Sequence, residues 1–399
     1  MRTSVIENPG YQLIIELNPA IRTAAIGIWF QNGARYENDQ QTGYAHLLEH
    51  LLFKGTQQHS AQDLSARFEC MGGQVNAETG RELTAVHGVV PGFNATEFLQ
   101  LLLQMLTESK FSEQDFYLER DVVLQELAML EDDPEEALED YSTEQVWYQH
   151  SMGRQILGTR ESLAHVTYAE FTDYMTEVLN SSQFTIVAIG QVDSAEIETV
   201  CQKISNKVTK QPTSLTPEYK LTNRQFDIES QQQHLLWIMP ATSYGYKHRA
   251  VYEIANHILG GGYDSRLYQA LREKLGLVYS IDSRCDYYRD TGLWFVQTNT
   301  ENESIERTQQ AAIETIQQLT ISGPNTTELD NAKCHLQASL ILEADDIASR
   351  IENVAHEVIY SGRMQSVEEQ ITAYRNVHAD EVVSVLKNAW EKHSFFTAH

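Results

Sequence analysis

His46-Leu47-Leu48-Glu49-His50 holds the residues of this 399-residue chain with the clearest capacity for chemistry. The string reads H-x-x-E-H, the reverse order of the H-E-x-x-H zinc-protease motif. Positions i and i+4 share one face of a helix, so His46 and His50 can offer two imidazoles to one metal ion. Glu49 falls beside that pair. A zinc ion on two neutral imidazoles needs a third protein ligand and an open position for water. A nearby carboxylate can then take the water's proton during attack on a carbonyl. Taken alone, the string also suits an ordinary buried helix. The chain has 14 His, and Leu47, Leu48, Leu51, Leu52 and Phe53 make apolar flanks.

A third ligand must be an Asp, Glu, His or Cys further along. The segment Glu119-Arg120-Asp121-Val122-Val123-Leu124-Gln125-Glu126 is the best candidate, and its apolar spacing suits an amphipathic helix. Glu119 and Glu126 lie about two turns apart and so on one face. In a chain this acidic, periodicity alone would make them two solvated acids.

Together these strings resemble the pitrilysin and mitochondrial-processing-peptidase superfamily of zinc peptidases. Gly33-Ala34-Arg35-Tyr36-Glu37 is similar to its G-S-R-x-E, Phe53-Lys54-Gly55-Thr56 to its F-K-G-T, and Gly73-Gln74-Val75-Asn76-Ala77 to its G-x-x-N-A strand. Gly260-Gly261-Gly262, Ser265-Arg266-Leu267 and Leu271-Arg272-Glu273-Lys274-Leu275-Gly276-Leu277-Val278-Tyr279-Ser280 resemble its G-G-G-x-x-S-R-L…L-R-E-K-R-G-L-A-Y-S, with Leu275 and Val278 as departures. The resemblance spans nearly the whole chain. It implies His46, His50 and Glu126 as ligands to one zinc per chain, and Glu49 as general base. It implies Glu119 as a partner orienting His50. Asn76 and Ala77 would line the substrate, and Arg272 and Tyr279 would hold it at the zinc site. A guanidinium can donate to a peptide carbonyl and a phenol to a developing oxyanion. Two-unit members of the family usually pair around a chamber. Retention of both residue sets implies a homodimer acting on extended peptides or small unfolded proteins.

The elements that must position these residues follow a duplicated order. Strands are expected near 12–17, 23–31, 73–79, 82–90 and 184–189. Helices are expected at 43–54 and near 61–71, 94–109, 113–131, 134–147 and 168–179. The second half repeats the pattern: strands near 233–239, 277–284 and 292–299, and helices near 247–259, 264–274, 304–321 and 326–345. The fold class is therefore α+β, two homologous units each with a mostly antiparallel sheet and helices on one face. The expected boundaries are 1–205 for the zinc-binding unit, 206–223 for a Pro-, Ser- and Thr-containing linker, and 224–399 for the unit carrying Arg272 and Tyr279. Where the second unit matches the zinc helix it reads Glu253…Asn256-His257, with one His and no base. His257 is expected to be packed or capping.

Lys plus Arg number 29 and Asp plus Glu 56, for a net charge of −27. That balance argues against nucleic acid and anionic membrane surfaces as partners, and it leans toward basic peptides. Cys70, Cys201, Cys285 and Cys334 are scattered, which points to a reducing compartment such as the cytoplasm. No signal-peptide pattern or membrane-length apolar run is read. Two other readings remain. One is a non-catalytic assembly subunit like the respiratory-complex core proteins, which typically lose zinc ligands. The other is a maturation protease dedicated to one precursor.

Overall fold

The computed structural model describes residues 2–204, 214–245 and 248–398. Most of the expected linker, 206–213, and the first residue of the expected helix 247–259 lie outside the described residues. The elements run β1 (Arg2–Asn8), β2 (Tyr11–Leu17), β3 (Thr23–Gln31), α1 (Tyr44–Leu52), α2 (Ala61–Cys70), β4 (Gln74–Thr79), β5 (Leu83–Pro91), α3 (Ala95–Thr107), α4 (Glu113–Asp132), α5 (Pro134–Val146), α6 (Arg160–His165), α7 (Tyr168–Ser181), β6 (Phe184–Gly190) and α8 (Ser194–Cys201). They continue as β7 (Asn223–Phe226), β8 (Gln233–Ala241), α9 (Arg249–Leu259), a π-helix (Tyr268–Lys274), β9 (Ile281–Tyr287), β10 (Gly292–Thr300), α10 (Ile305–Ser322), α11 (Thr326–Asp345), α12 (Ile347–Ser361), α13 (Val367–Arg375), α14 (Ala379–Trp390) and β11 (Ser394–Ala398).

Two compact units result, and neither is one continuous stretch of chain. The first comprises Met1–Met129, Arg154–Leu215 and Glu343–Ile359. The second comprises Leu130–Gly153, Thr216–Leu342 and Tyr360–His399. The exchanged segments carry all of α5 and most of α12.

In the first unit six strands order as β1-β2-β6-β3-β5-β4, antiparallel except for the β2–β6 pair. β3 and β6 are buried along almost their whole length, as apolar central strands must be. Leu13, Ile26, Ile28, Phe30, Val86 and Ile186 pack against Leu47, Leu51, Phe98, Leu102 and Phe171 of the helices. The opposite face of this sheet meets α12. There Arg350 pairs with the buried Glu16 at 2.9 Å.

In the second unit five strands order as β7-β11-β8-β10-β9, with only β11–β7 parallel. Leu235, Trp237, Trp294 and Val296 pack with α9, α10 and α14 on one face. Leu236, Ile238, Phe295 and Phe396 meet Leu138 and Val146 of α5 on the other. The expected strand 277–284 begins later, at Ile281. Gly276 takes a left-handed conformation (φ +60°), and the Leu277 and Ser280 carbonyls accept the Thr300 and Thr298 hydroxyls, at 2.7 and 2.6 Å. Side chains occupy acceptors that a strand partner would need, so Leu277–Ser280 forms a loop.

Candidate metal centre

α1 divides by face. Leu47, Leu48, Leu51 and Leu52 are fully buried, and His46, Glu49 and His50 line the opposite, half-buried stripe. Each buried leucine contributes about 1.5–3 kcal/mol, enough to hold the helix in register. Its N-terminus is capped from outside the helix. The Gly43 and Ala45 amides donate to the Glu37 carboxylate at 3.0 and 2.7 Å, a favourable charge at the positive helix end. Burial pushes the Glu37 carboxyl up to about 7, against the pull of those amides and of Arg154. Gly43 itself sits at φ +92°, where a Cβ would lie 2.7 Å from the Gly158 Cα, so glycine is required.

Three ligand atoms converge above the stripe. The offered atoms of His46, His50 and Glu126 all lie within 4.8 Å of one another, the sole such group among the described residues. Glu126 Oε2 is 3.3 Å from His50 Nε2 and 3.9 Å from His46 Nε2. Burial, then the neighbouring His50, lowers the His46 pKa to about 4, so its imidazole is neutral. Two imidazoles and one carboxylate form a donor set that fits zinc.

A second layer fixes one of the rings. His50 Nδ1 is 3.1 Å from Glu119 Oε2, and Lys54 Nζ is 2.5 Å from Glu119 Oε1. Glu119 lies on the core-facing stripe of α4 with Phe116, Val123 and Leu127. A carboxylate is tolerated there because both its oxygens are paired. With Nδ1–H donated to Glu119, the His50 Nε2 lone pair faces Glu126. His46 Nδ1, in contrast, is buried without a hydrogen-bond partner.

Glu49 sits beside the three converging atoms rather than among them. Burial raises its pKa, and a hydrogen bond with Thr79 of β4 pulls it down. Thr79, Asn76 and Ala77 lie on β4, the edge strand of the sheet, so their backbone edge is open to pairing.

All the expected first-unit residues are therefore gathered around α1 and β4. Arg272 and Tyr279 lie in the second unit and meet each other there. The Arg272 guanidinium donates to the Tyr279 carbonyl and lies 4.8 Å from its ring centroid, and Tyr279 is 77 % exposed. The roles of Glu37, Lys54 and Thr79 were not read from sequence. Lys54 stands four residues after His50, a spacing that marks same-face neighbours, and this was the available signal.

Comparison with known proteins agrees with this architecture. Residues 12–160 match the family profile described as Insulinase (Peptidase family M16), and residues 165–336 match Peptidase M16 inactive domain. The uncharacterized zinc protease YmxG of Bacillus subtilis (strain 168) is 31 % identical over 380 residues, covering 94 % of this chain and 92 % of that protein. An uncharacterized zinc protease of Rickettsia felis is 28 % identical, covering 92 % and 89 %. The crystal structure of a protease from Helicobacter pylori superposes with a TM-score of 0.90 at 18 % identity, over 100 % of this chain and 99 % of that one, and shares the fold. The chain belongs to the insulinase family, peptidase family M16, as a pitrilysin-like member with two units.

Proposed function

We propose that this chain is a zinc-dependent endopeptidase that cleaves extended peptides or small unfolded proteins, with one zinc per chain held by His46, His50 and Glu126. The observation that carries the proposal is their convergence within 4.8 Å beside the half-buried Glu49 carboxyl, which stands outside the three ligand atoms and so is left to act as a base. When bound there, zinc supplies Lewis acidity toward a carbonyl oxygen and lowers the pKa of water toward neutrality. Glu49 takes a proton from the attacking water and returns it to the leaving amine nitrogen. The peptide adds a strand along β4, past Asn76 and Ala77, so backbone hydrogen bonds supply affinity with little demand on sequence. Arg272 donates to a peptide carbonyl, and Tyr279 to the oxygen that gains charge. Glu119 holds His50 in the competent tautomer.

Retention of both residue sets favours two identical subunits around a chamber in the cytoplasm, with no nucleic acid or membrane as partner. Among the described residues no helix is long and apolar enough to cross a membrane, and the four cysteines form no disulfide. The same retention disfavours a non-catalytic assembly subunit. A maturation protease for one precursor would use identical chemistry on a narrower substrate. Digestion of a peptide mixture, read by mass spectrometry before and after chelation, tests the proposal. New termini that vanish with the metal are expected, and a zinc-loaded chain that cuts nothing would overturn it.

A further inference from the structure

A second group of titratable side chains stands on the first unit's sheet, on the face away from α1. His87 of β5 lies opposite Asn76 of β4 and Gly27 of β3. A Cβ at Gly27 would come within 2.7 Å of the His87 Cβ, and the Trp29 ring stacks on the imidazole at 5.8 Å. The ring is thus held in place. His87 is 9 % exposed, and its Nε2 has no hydrogen-bond partner. On its two sides stand carboxylates: Glu78 Oε1 lies 4.0 Å from Nε2, and Glu352 Oε1 of α12 lies 4.0 Å from Nδ1. Both acids keep over a third of their side-chain surface open, and neither has a Lys or Arg nitrogen within 4.0 Å among the described residues. Burial lowers the His87 pKa, and burial with the Glu78 charge raises that of Glu352. The group is an open, acidic array of acceptors that the His356 imidazole of α12 also faces, and among the described residues no Lys or Arg balances it.

The shape of the array selects the cation. Three ligand atoms do not converge here, since among the described residues only His46, His50 and Glu126 achieve that. Acceptors spread across a buried imidazole and two carboxylates match a group with several donors on a long stem, an ammonium or guanidinium. β4 supplies the connection to substrate. Val75, Ala77 and Thr79 are half-buried, and Thr79 reaches the Ala45 carbonyl of α1 at 3.5 Å. Asn76 and Glu78 project from the other face. A peptide strand paired to this edge alternates its side chains in the same way.

We propose that Glu78, His87 and Glu352 form a subsite for a Lys or Arg side chain of the bound peptide, at positions alternating with those that face α1. This rests on the peptidase reading above. In a neutral peptide frame, a single Lys, Arg, norleucine or Glu is moved one position at a time across the cleavage point, and kcat/KM is measured on the zinc-loaded full chain. Lys or Arg should exceed norleucine by roughly tenfold at positions of one parity only, the scale of one charge-assisted hydrogen bond. Glu352→Gln should shrink that ratio, and Glu352→Lys, which supplies the cation from the chain, should abolish it. Binding of the same peptides to the metal-free protein, read by fluorescence anisotropy, separates the two readings. A chain that binds the Lys peptide preferentially through Glu352 yet cuts nothing keeps the subsite and sinks the peptidase reading. A chain that cuts neutral peptides without a parity preference keeps the peptidase and overturns the subsite. Loss of a zinc equivalent in Glu352→Gln would make the group a metal site and also overturn the proposal.

Discussion

α1 and α9 occupy matching places in the two units' sequences, and they differ in what their polar groups touch. On α9, Glu253 receives Arg249 at 3.0 Å and the Tyr374 hydroxyl at 2.6 Å. Asn256 donates to the Ser283 carbonyl and accepts from the Ser283 hydroxyl and the Trp294 indole, at 2.8, 2.6 and 2.8 Å. His257 is buried and stacks on His335 at 4.4 Å. These groups are consumed by partners within their own unit. On α1, the outer nitrogen of His50 is taken by Glu119, and Glu49 meets Thr79 of β4. The inner nitrogens of both imidazoles and the Glu126 carboxylate converge on one another, at 3.9 and 3.3 Å. A polar network that closes on itself serves the fold. One that leaves acceptors converging serves a ligand.

That contrast orders the expected outcomes. Glu49→Gln should lower peptide hydrolysis by roughly a hundredfold to ten-thousandfold, the range of a lost general base, with zinc content retained by elemental analysis. Near-normal turnover would remove Glu49 from the mechanism. Arg272→Ala and Tyr279→Phe should each lower turnover by roughly tenfold to a thousandfold, the scale of a lost oxyanion donor. Zinc content and thermal midpoint should stay unchanged, and a change in zinc affinity would place these residues elsewhere in the account. Lys54→Met and Glu119→Gln should weaken zinc by roughly 10–100-fold in a chelator competition, as expected when the partners of a ligating histidine are removed. Lys54→Arg should restore most of the loss, and failure of that rescue would point to packing instead. Asn256→Ala should do the opposite. It takes the side-chain donor from the Ser283 carbonyl and leaves the Trp294 indole only the Ser283 hydroxyl, 3.0 Å away, costing about 1–3 kcal/mol of stability, seen as a lower denaturation midpoint with the zinc affinity of the chain intact.

The legibility of the chain followed the same line. β3 was readable to the residue because Ala25, Gly27 and Trp29 alternate along a strand of clear composition. α1 was readable because its leucines and its His–Glu–His set divide by helical face. β1 was not read: Val5 and Ile6 are adjacent rather than alternating, and the strand lies exposed at the sheet edge. The start of β9 was misread because Leu277 and Val278 look like strand, whereas threonine hydroxyls on β10 claim its carbonyls. The His46–His50–Glu126 set was proposed by resemblance, since spacing alone left Glu126 a solvated acid. Lys54 and His87 were hard to place because Glu119 and Glu352 lie far along the chain from them, and Glu37 because its contact with the Gly43 and Ala45 amides needs the turn before α1 to fold back. The interrupted units were beyond reach for the same reason, since no local pattern marks α12 as lying on the first sheet.

The central claim is that the metal chemistry of this chain resides on α1 and α4 and that α9 retains none. Zinc stoichiometry of the purified full chain, measured beside Glu126→Gln and His257→Ala, tests it most directly. The account predicts about one equivalent in the unaltered chain, loss of most of it in Glu126→Gln, and no change in His257→Ala. Full zinc in Glu126→Gln, or loss in His257→Ala, would contradict it.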